Sequence, residues 1–237
     1  LEGLSGDKQI RHKGEIDLVT RMDRQCEKKI VDIIEEAFPE DDILTEESPI
    51  KRRGSTRLWV IDPLDGTTNY AHSYPIFAVS IALLIEGDPV VGVVYDPVRN
   101  ELFTAEKGGG SRLGHTPIRV STITAVNDGL LGTGFPYDLR EKPQPLLDYF
   151  GRFVLRSQAV RRNGSAALDL CYVAAGRFDG FWESRLFPWD MAAGALIVQE
   201  AGGRVTDYTG RPFDPFDREI LASNGLIHQE MMNILRD

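Results

Sequence analysis

The sequence predicts a layered fold of mixed class, α+β in its first half and α/β in its second. Three observations carry the prediction. Leu18, Met22, Cys26, Ile30, Ile33, Ile34 and Phe38 recur every three or four residues, which is one apolar helix face. Three strand-like runs then follow one another, joined only by turn residues. From about Leu130 strand-like and helical stretches alternate, as they do where helices cover a sheet.

In chain order, the first helix is expected from about Thr20 to Phe38. Thr20 with Asp23 forms a capping box, and Pro39 ends the helix. A loop carrying Glu46 and Glu47 follows, then an apolar strand, Leu58 to Ile61, that runs into Asp62. The meander comprises Ile76 to Ile85, Val90 to Tyr95 and Glu101 to Ala105, with turns at 86–89 and 96–97. Gly108-Gly109-Gly110 reads as a turn, because no helix pattern opens after it. The second half alternates Leu130 to Phe135, a helix over 144–157, Ala159 to Arg162, a helix from Ser165 to Ala175, and Phe178 to Glu183. A helix from Trp189 to Ala201, strands Val205 to Tyr208 and Ile220 to Ala222, and a last helix complete it. These halves define two lobes, 1–125 and 126–237, packed as one unit with a shared cleft. No repeat, low-complexity tract or linker separates them.

Composition narrows the functional classes. The chain has 237 residues, 42% of them apolar and 27% charged, as in ordinary globular proteins. No apolar run reaches membrane-span length and no secretory signal is visible. The only cysteines, Cys26 and Cys171, lack metal-ligand spacing and fit free buried thiols in a reducing cytoplasm. The net charge of −9 argues against a nucleic-acid surface, since affinity for the phosphate backbone comes from Lys and Arg. It does not exclude a small phosphate at a site where amides, a lysine or metal ions reverse the local sign.

The stretch WVIDPLDGTTNY, 59–70, carries the first chemical signal. Asp62 and Asp65 end an apolar strand, where uncompensated acids are costly. A plain turn is one reading, since Asp, Pro and Gly are turn residues. The other reading is a phosphoryl-transfer site. It has carboxylates for a hard divalent cation beside the amides of a helix that starts at Gly66-Thr67. Glu46-Glu47 offers a further carboxylate ahead of the strand. Asp190, in PWDMAAG, is either a first-turn acid favoured by the helix dipole or another ligand. With all three places considered together, the site reading prevails.

The residues WVIDPLDGTTNYAHSYPIFAVSIAL, DLVTRMD, TEES, RRNGSAALDL and PWDMAAGALIVQEAGG resemble the inositol monophosphatase family, in family order from about Lys13 to Asn224. The resemblance implies an α-β-α-β-α sandwich and a Mg²⁺-dependent, lithium-sensitive phosphatase, usually a homodimer. It also implies a further N-terminal helix, for which twelve residues precede Lys13 here. Position by position, it implies that Glu46, Asp62 and the Leu64 carbonyl bind a first Mg²⁺, and that Asp62, Asp65 and Asp190 bind a second. Glu46 would reach a third through water, with Glu47 close by. The Gly66 and Thr67 amides would hold the phosphate. Thr67, paired with Asp23, would orient the attacking water, with Lys13 near the cluster. Asp65, Ser165, Ala166 and Glu183 would line the pocket for the alcohol.

The substrate implied is a myo-inositol monophosphate or a similar polyol or sugar phosphate. Fructose 1,6-bisphosphate, histidinol phosphate and adenosine 3′,5′-bisphosphate are the alternatives, the last weakened by the want of a clear base-stacking aromatic. A different class is a regulatory protein built on the same fold that engages RNA polymerase or another protein, a role some bacterial members have. The intact set Glu46, Asp62, Asp65, Thr67 and Asp190 speaks for an enzyme. Elsewhere the expectations are plain. Ser165 is a helix cap as well as a pocket residue. Arg161-Arg162 are solvated strand-end charges. Trp189 packs in the core, and Asp96-Pro97 and Asp214-Pro215 are turns.

Overall fold

The structure, a computed structural model, describes the backbone of residues 11–12 and 18–237, with side chains from Thr20 onward. Lys13 and the expected N-terminal helix lie outside the described residues. A short pair, β1 (Arg11–His12) and β2 (Leu18–Val19), runs antiparallel ahead of helix α1 (Arg21–Ala37). Thr20 and Asp23 form the expected reciprocal cap.

The first sheet has seven strands, ordered as they occur in the chain: β3 (Asp42–Thr45), β4 (Arg57–Asp65), β5 (Ala78–Ile85), β6 (Asp88–Asp96), β7 (Glu101–Glu106), β8 (Gly110–Leu113) and β9 (Thr116–Pro117). β3 and β4 are parallel and the remaining pairs antiparallel, so the meander is as expected. The sequence pattern did not show β3, in which Asp42 and Thr45 flank an apolar run of only two residues. The triple glycine is a turn, and its last member opens β8.

A short helix, α2 (Thr67–Ala71), leaves β4. The second half then supplies β10 (Leu130–Thr133), α3 (Leu146–Arg156), β11 (Ala159–Arg161), α4 (Ala166–Ala174), β12 (Gly180–Ser184), α5 (Pro188–Glu200), β13 (Arg204–Thr206), β14 (Glu219–Ser223) and α6 (His228–Arg236). Its sheet is ordered β11-β10-β12-β14-β13. β10 is parallel to both neighbours, and the other pairs are antiparallel.

Strand alternation defines the layers. On β4, Val60 joins the core formed with α4 and α5, while its neighbour Ile61 packs against Val31 and Ile34 of α1. On β12, Phe181 faces α4 and α5, while Trp182 faces Phe153 of α3 and Met231 of α6. The order is therefore α1, sheet, α4 with α5, sheet, α3 with α6: the α-β-α-β-α sandwich. The middle helices are apolar all round, with eight consecutive buried residues from Met191 to Val198 in α5. The large ones among them, Met191, Leu196, Ile197 and Val198, contribute roughly 1.5–3 kcal/mol each. Cys171 is buried and Cys26 half-buried, and both are free thiols.

Candidate active site

β4 does not stop at Ile61, as the apolar run suggested. It continues through both acids to Asp65. Asp62 pairs with Ser80 and Asp65 with Ala78, so three steps on β4 oppose two on β5. This is a bulge with one extra residue, and Pro63, which has no N–H to give a ladder, stands inside it. Residues three apart on a regular strand face opposite ways. Here both acids oppose residues two apart on β5, which share a face, so Asp62 and Asp65 share a face too. It is the face of Val60, which looks toward α4 and α5.

Each acid is held by one oxygen. The Leu64 amide turns inside the bulge to donate to Asp62 Oδ1 at 2.9 Å. Asp65 Oδ2 accepts from Ser165 Oγ at 2.5 Å and from the Ala167 amide at 2.9 Å, which ties β4 to the start of α4. Asp190 Oδ2 accepts from the Phe187 amide at 2.7 Å at the start of α5. From the described residues, the second oxygen of each receives no hydrogen bond.

Burial pushes the Asp62 carboxyl well above the usual range, and the charges of Glu46, Asp65 and Asp190 push it further. Asp190 is raised by burial and then by Asp65, against the pull of the Phe187 amide. Asp65 is raised to about 6 by burial, while its bonds to Ser165 and the Ala166 and Ala167 amides act the other way. Glu46, Asp65 and Asp190 are therefore close enough for their charges to act on Asp62.

Among the described residues they do not form a closed metal cage. Asp62 and Asp190 are anchored to nearby amides of their own strand and helix start, and Asp65 to the start of α4. The donor set still fits a hard divalent cation, which takes carboxylate oxygens. Three buried or half-buried acids each keep an oxygen without a donor, and a cation would remove the mutual repulsion that raises Asp62 and Asp190.

Thr67 opens α2. Its Oγ1 lies 2.9 Å from Asp23 Oδ1 and 3.0 Å from the Leu64 carbonyl, and its one proton serves one of them at a time. Asp23 Oδ2 accepts from the Thr20 amide at 2.8 Å and from Thr20 Oγ1 at 2.5 Å. The helix cap expected from sequence and the partner of Thr67 are thus one carboxylate. Gly66 sits at φ +91°, and a Cβ there would lie 3.0 Å from the Ile76 carbonyl and 3.2 Å from that of Gly164. Glu46 directly follows β3, not a long loop, and is half-buried.

Asp65, Gly66, Ser165, Ala166, Glu183 and Asp190 line one cavity of about 330 Å³. Ser165 does both things expected of it: its hydroxyl caps α4, accepting from the Leu168 amide, and also binds Asp65. Glu183 is buried at the end of β12 and receives no hydrogen bond from the described residues. Burial first, then the neighbouring Asp169 charge, pushes it up to about 8, against Arg162. The carboxylate expected from sequence is therefore largely a carboxylic acid at neutral pH.

Several residues escaped the sequence reading. Asp169, on α4, is buried beside the cavity, accepts from Asn163 Nδ2 at 2.7 Å and is likewise raised by burial. Arg161 and Arg162 are both exposed at the end of β11, as expected, but Arg162 also lines the cavity. A Cβ at Gly134 would come within 2.1 Å of Glu183 Oε2, and the glycine at a strand end was the available signal. Trp189 is only partly buried and stacks on Phe187 at 4.9 Å, with Arg218 4.4 Å over the other ring. Phe187 lines the cavity mouth, so an aromatic is present where none was expected. Asp96 and Asp214 accept from amides of the following residues, as turn acids do.

The model of the inositol monophosphatase family matches residues 1–237. The chain belongs to the inositol monophosphatase family. It is 50% identical over 229 residues to the inositol-1-monophosphatase of Synechocystis sp., covering 96% of this chain and 80% of that one. It is 46% identical over 226 residues to the Nus factor SuhB of Escherichia coli (strain K12), covering 95% and 85%. The structure of an inositol monophosphatase from Anabaena (Nostoc) superposes with a TM-score of 0.88 at 47% identity, covering 90% of this chain and 85% of that one. Membership of the inositol monophosphatase family makes the chain a phosphoric monoester hydrolase. Among the described residues no helix is long and apolar enough to cross a membrane.

Proposed function

We propose that the protein is a Mg²⁺-dependent phosphomonoesterase acting on myo-inositol monophosphates or similar small polyol phosphates, with its active site between the lobes 1–125 and 126–237. The convergence of Asp62, Asp65 and Asp190, with Glu46, on one space beside the start of α2 carries this reading. Glu46, Asp62, Asp65, Asp190 and the Leu64 carbonyl would hold two or three Mg²⁺ ions. Bound Mg²⁺ would supply neutralising charge for a phosphate dianion and Lewis acidity at the attacking and leaving oxygens.

The chain supplies positioning. The amides of Gly66 and Thr67 open α2 and have no partner within the helix, so they suit phosphate oxygens. Thr67 gives its proton to Asp23, which leaves its lone pairs to accept from water and aim it. The same choice leaves the Leu64 carbonyl without that proton. Glu183, with Ser165 and Ala166, would hold hydroxyls of the alcohol at the far end of the cavity. Lithium sensitivity, a homodimer and a cytoplasmic setting belong to this reading. A panel of phosphate esters with Mg²⁺ titration tests it. Turnover that EDTA abolishes, with the highest kcat/KM for inositol monophosphates, is expected. A protein inert on every ester at saturating Mg²⁺ contradicts it, and a preference for fructose 1,6-bisphosphate changes the substrate alone.

The relatives named Nus factor SuhB favour a second reading, in which the fold also binds a protein partner. Pull-down from cell extract with and without Mg²⁺ separates the two. A partner retained by Asp62→Asn protein without turnover is the outcome that supports binding.

A further inference from the structure

Along α1, the buried residues are Asp23, Glu27, Val31 and Ile34, so one face changes from apolar to acidic as it reaches the site. Asp23 is taken by Thr20 and Thr67. Glu27, one turn further on, is 5% exposed and plays no part in the chemistry described so far. Its Oε2 accepts from the Glu47 amide at 2.9 Å, and its Oε1 accepts from Ser48 Oγ.

The Glu47 amide is the N–H of the peptide that joins Glu46 to Glu47. A hydrogen bond there fixes the peptide plane at Glu46. Other ties lie at the ends of the loop: Thr45 Oγ1 lies 3.3 Å from the Ser48 amide and 3.4 Å from its carbonyl, Ile43 and Lys51 exchange backbone hydrogen bonds, and Ser48, Pro49 and Ile50 between them are exposed. Both partners of Glu27 are donors, so the position calls for an acceptor-only group. A glutamine would turn an NH₂ toward one of them. Leaving a buried donor unsatisfied is costly, so the loop would move rather than stay.

We propose that Glu27 is a positioning residue that aims Glu46 at the metal site. Through Asp23 and Glu27, four residues apart, one helix face then sets the Glu46 loop and the Thr67 hydroxyl in register with each other. This rests on the Mg²⁺ reading of the site.

The test is Mg²⁺ binding by calorimetry, paired with thermal melts across the same titration, for wild type, Glu27→Gln, Ser48→Ala and Asp62→Asn. Glu27→Gln is expected to raise the half-saturating Mg²⁺ about tenfold, at the low end of what supporting hydrogen bonds to ligands give, and Ser48→Ala, which removes one of its two partners, to raise it by less. Turnover at saturating Mg²⁺ should stay within about threefold of wild type, because the reacting groups themselves are intact. A residue that only stabilises the fold would lower the melting temperature without moving the Mg²⁺ midpoint. A folded Glu27→Gln protein with the wild-type midpoint overturns the inference. If that variant does not fold, an unchanged midpoint in Ser48→Ala overturns it. Loss of the Mg²⁺ response in Asp62→Asn with none of these shifts isolates the failure to Glu27. An Asp62→Asn protein that binds Mg²⁺ normally removes the metal reading, and this inference with it.

Discussion

At the acidic end of the site, Asp62, Leu64, Asp65, Gly66 and Thr67 come from one bulged strand and the helix it enters, with Glu46, Asp23 and Asp190 added from elsewhere, and of these Asp65, Gly66 and Asp190 line the cavity. At the other end, Gly134, Arg162, Asp169, Glu183 and Phe187 come from five separate places in the second half. Asp62, Asp65 and Asp190 at the first end each have an oxygen anchored to an amide or hydroxyl. Glu183 at the second end has no such anchor among the described residues. The first end is built to fix charges at set positions. The second is a shaped space lined by polar groups, and on the proposed reading small changes in it are expected to alter which substrate is accepted more than whether catalysis occurs.

The largest expected effect comes from breaking the first end. Asp62→Asn removes the charge of an acid that faces three others, and should cost at least ~4 kcal/mol of transition-state stabilisation, about a thousandfold in rate. Steady-state kinetics with several esters checks it, and the loss should be the same for all. Activity within tenfold of wild type at saturating Mg²⁺ would remove Asp62 from the reaction.

Gly134→Ala probes the other end. Its Cβ would collide with the Glu183 carboxyl, so Glu183 must leave its place. We expect kcat/KM for inositol 1-phosphate to fall by about ten- to a hundredfold, as when a hydrogen bond to substrate and its pocket shape are lost together. A simple aryl phosphate should be hydrolysed nearly as before. Equal losses on both esters would merge the two ends into one functional unit.

This contrast also explains what the sequence could show. Asp62, Asp65 and Thr67 lie within one short run, and DPLDGTTN with PWD supplied the acids and their likeness to a family. The bulge that turns Asp62 and Asp65 to one face was not legible, because it depends on pairing with β5. The strand β3 was missed since its apolar core is two residues long. The meander, α1 and the alternating second half followed from periodicity alone. Asp169, Arg162 and Phe187 reach the cavity only through the packing of α4, β12 and α5, which no local pattern encodes. Glu27 resembled any acid on a helix until its partners, Glu47 and Ser48, were brought beside it.

Stability against pH sharpens the comparison further. Asp62 and Asp190 are raised, Asp65 to about 6 from 3.8, and Glu183 to about 8 from 4.5. These four acids therefore bind more protons in the folded protein than in the unfolded chain between about pH 4 and 8, outnumbering His228, which burial lowers from 6.5 to about 4 and which acts the other way. Stability without metal should be greatest near the lower limit and fall as pH rises through that window. Melting temperatures in EDTA across pH measure it. A midpoint that rises from pH 5 to 8 would contradict the burial of these acids without compensation.

Glu183→Gln should have the smallest effect, because near neutrality it replaces one neutral group with another. We expect kcat/KM for inositol 1-phosphate to change by less than about threefold at pH 6.5, the lower end for a single hydrogen bond. The loss should grow above the pH of about 8 at which Glu183 ionises. The ratio to an aryl phosphate, measured from pH 6 to 9, reads this out, and a ratio that does not change with pH would place Glu183 outside the alcohol pocket.

The most direct measurement of the whole account is the shift in melting temperature on adding millimolar Mg²⁺ to metal-free wild type, Asp62→Asn and Glu183→Gln proteins at one pH. A cation that binds only the folded state must raise the midpoint. The account predicts a rise of similar size in wild type and Glu183→Gln, and little or none in Asp62→Asn. No rise in wild type, or an equal rise in all three, would contradict the assignment of these carboxylates to a cation site.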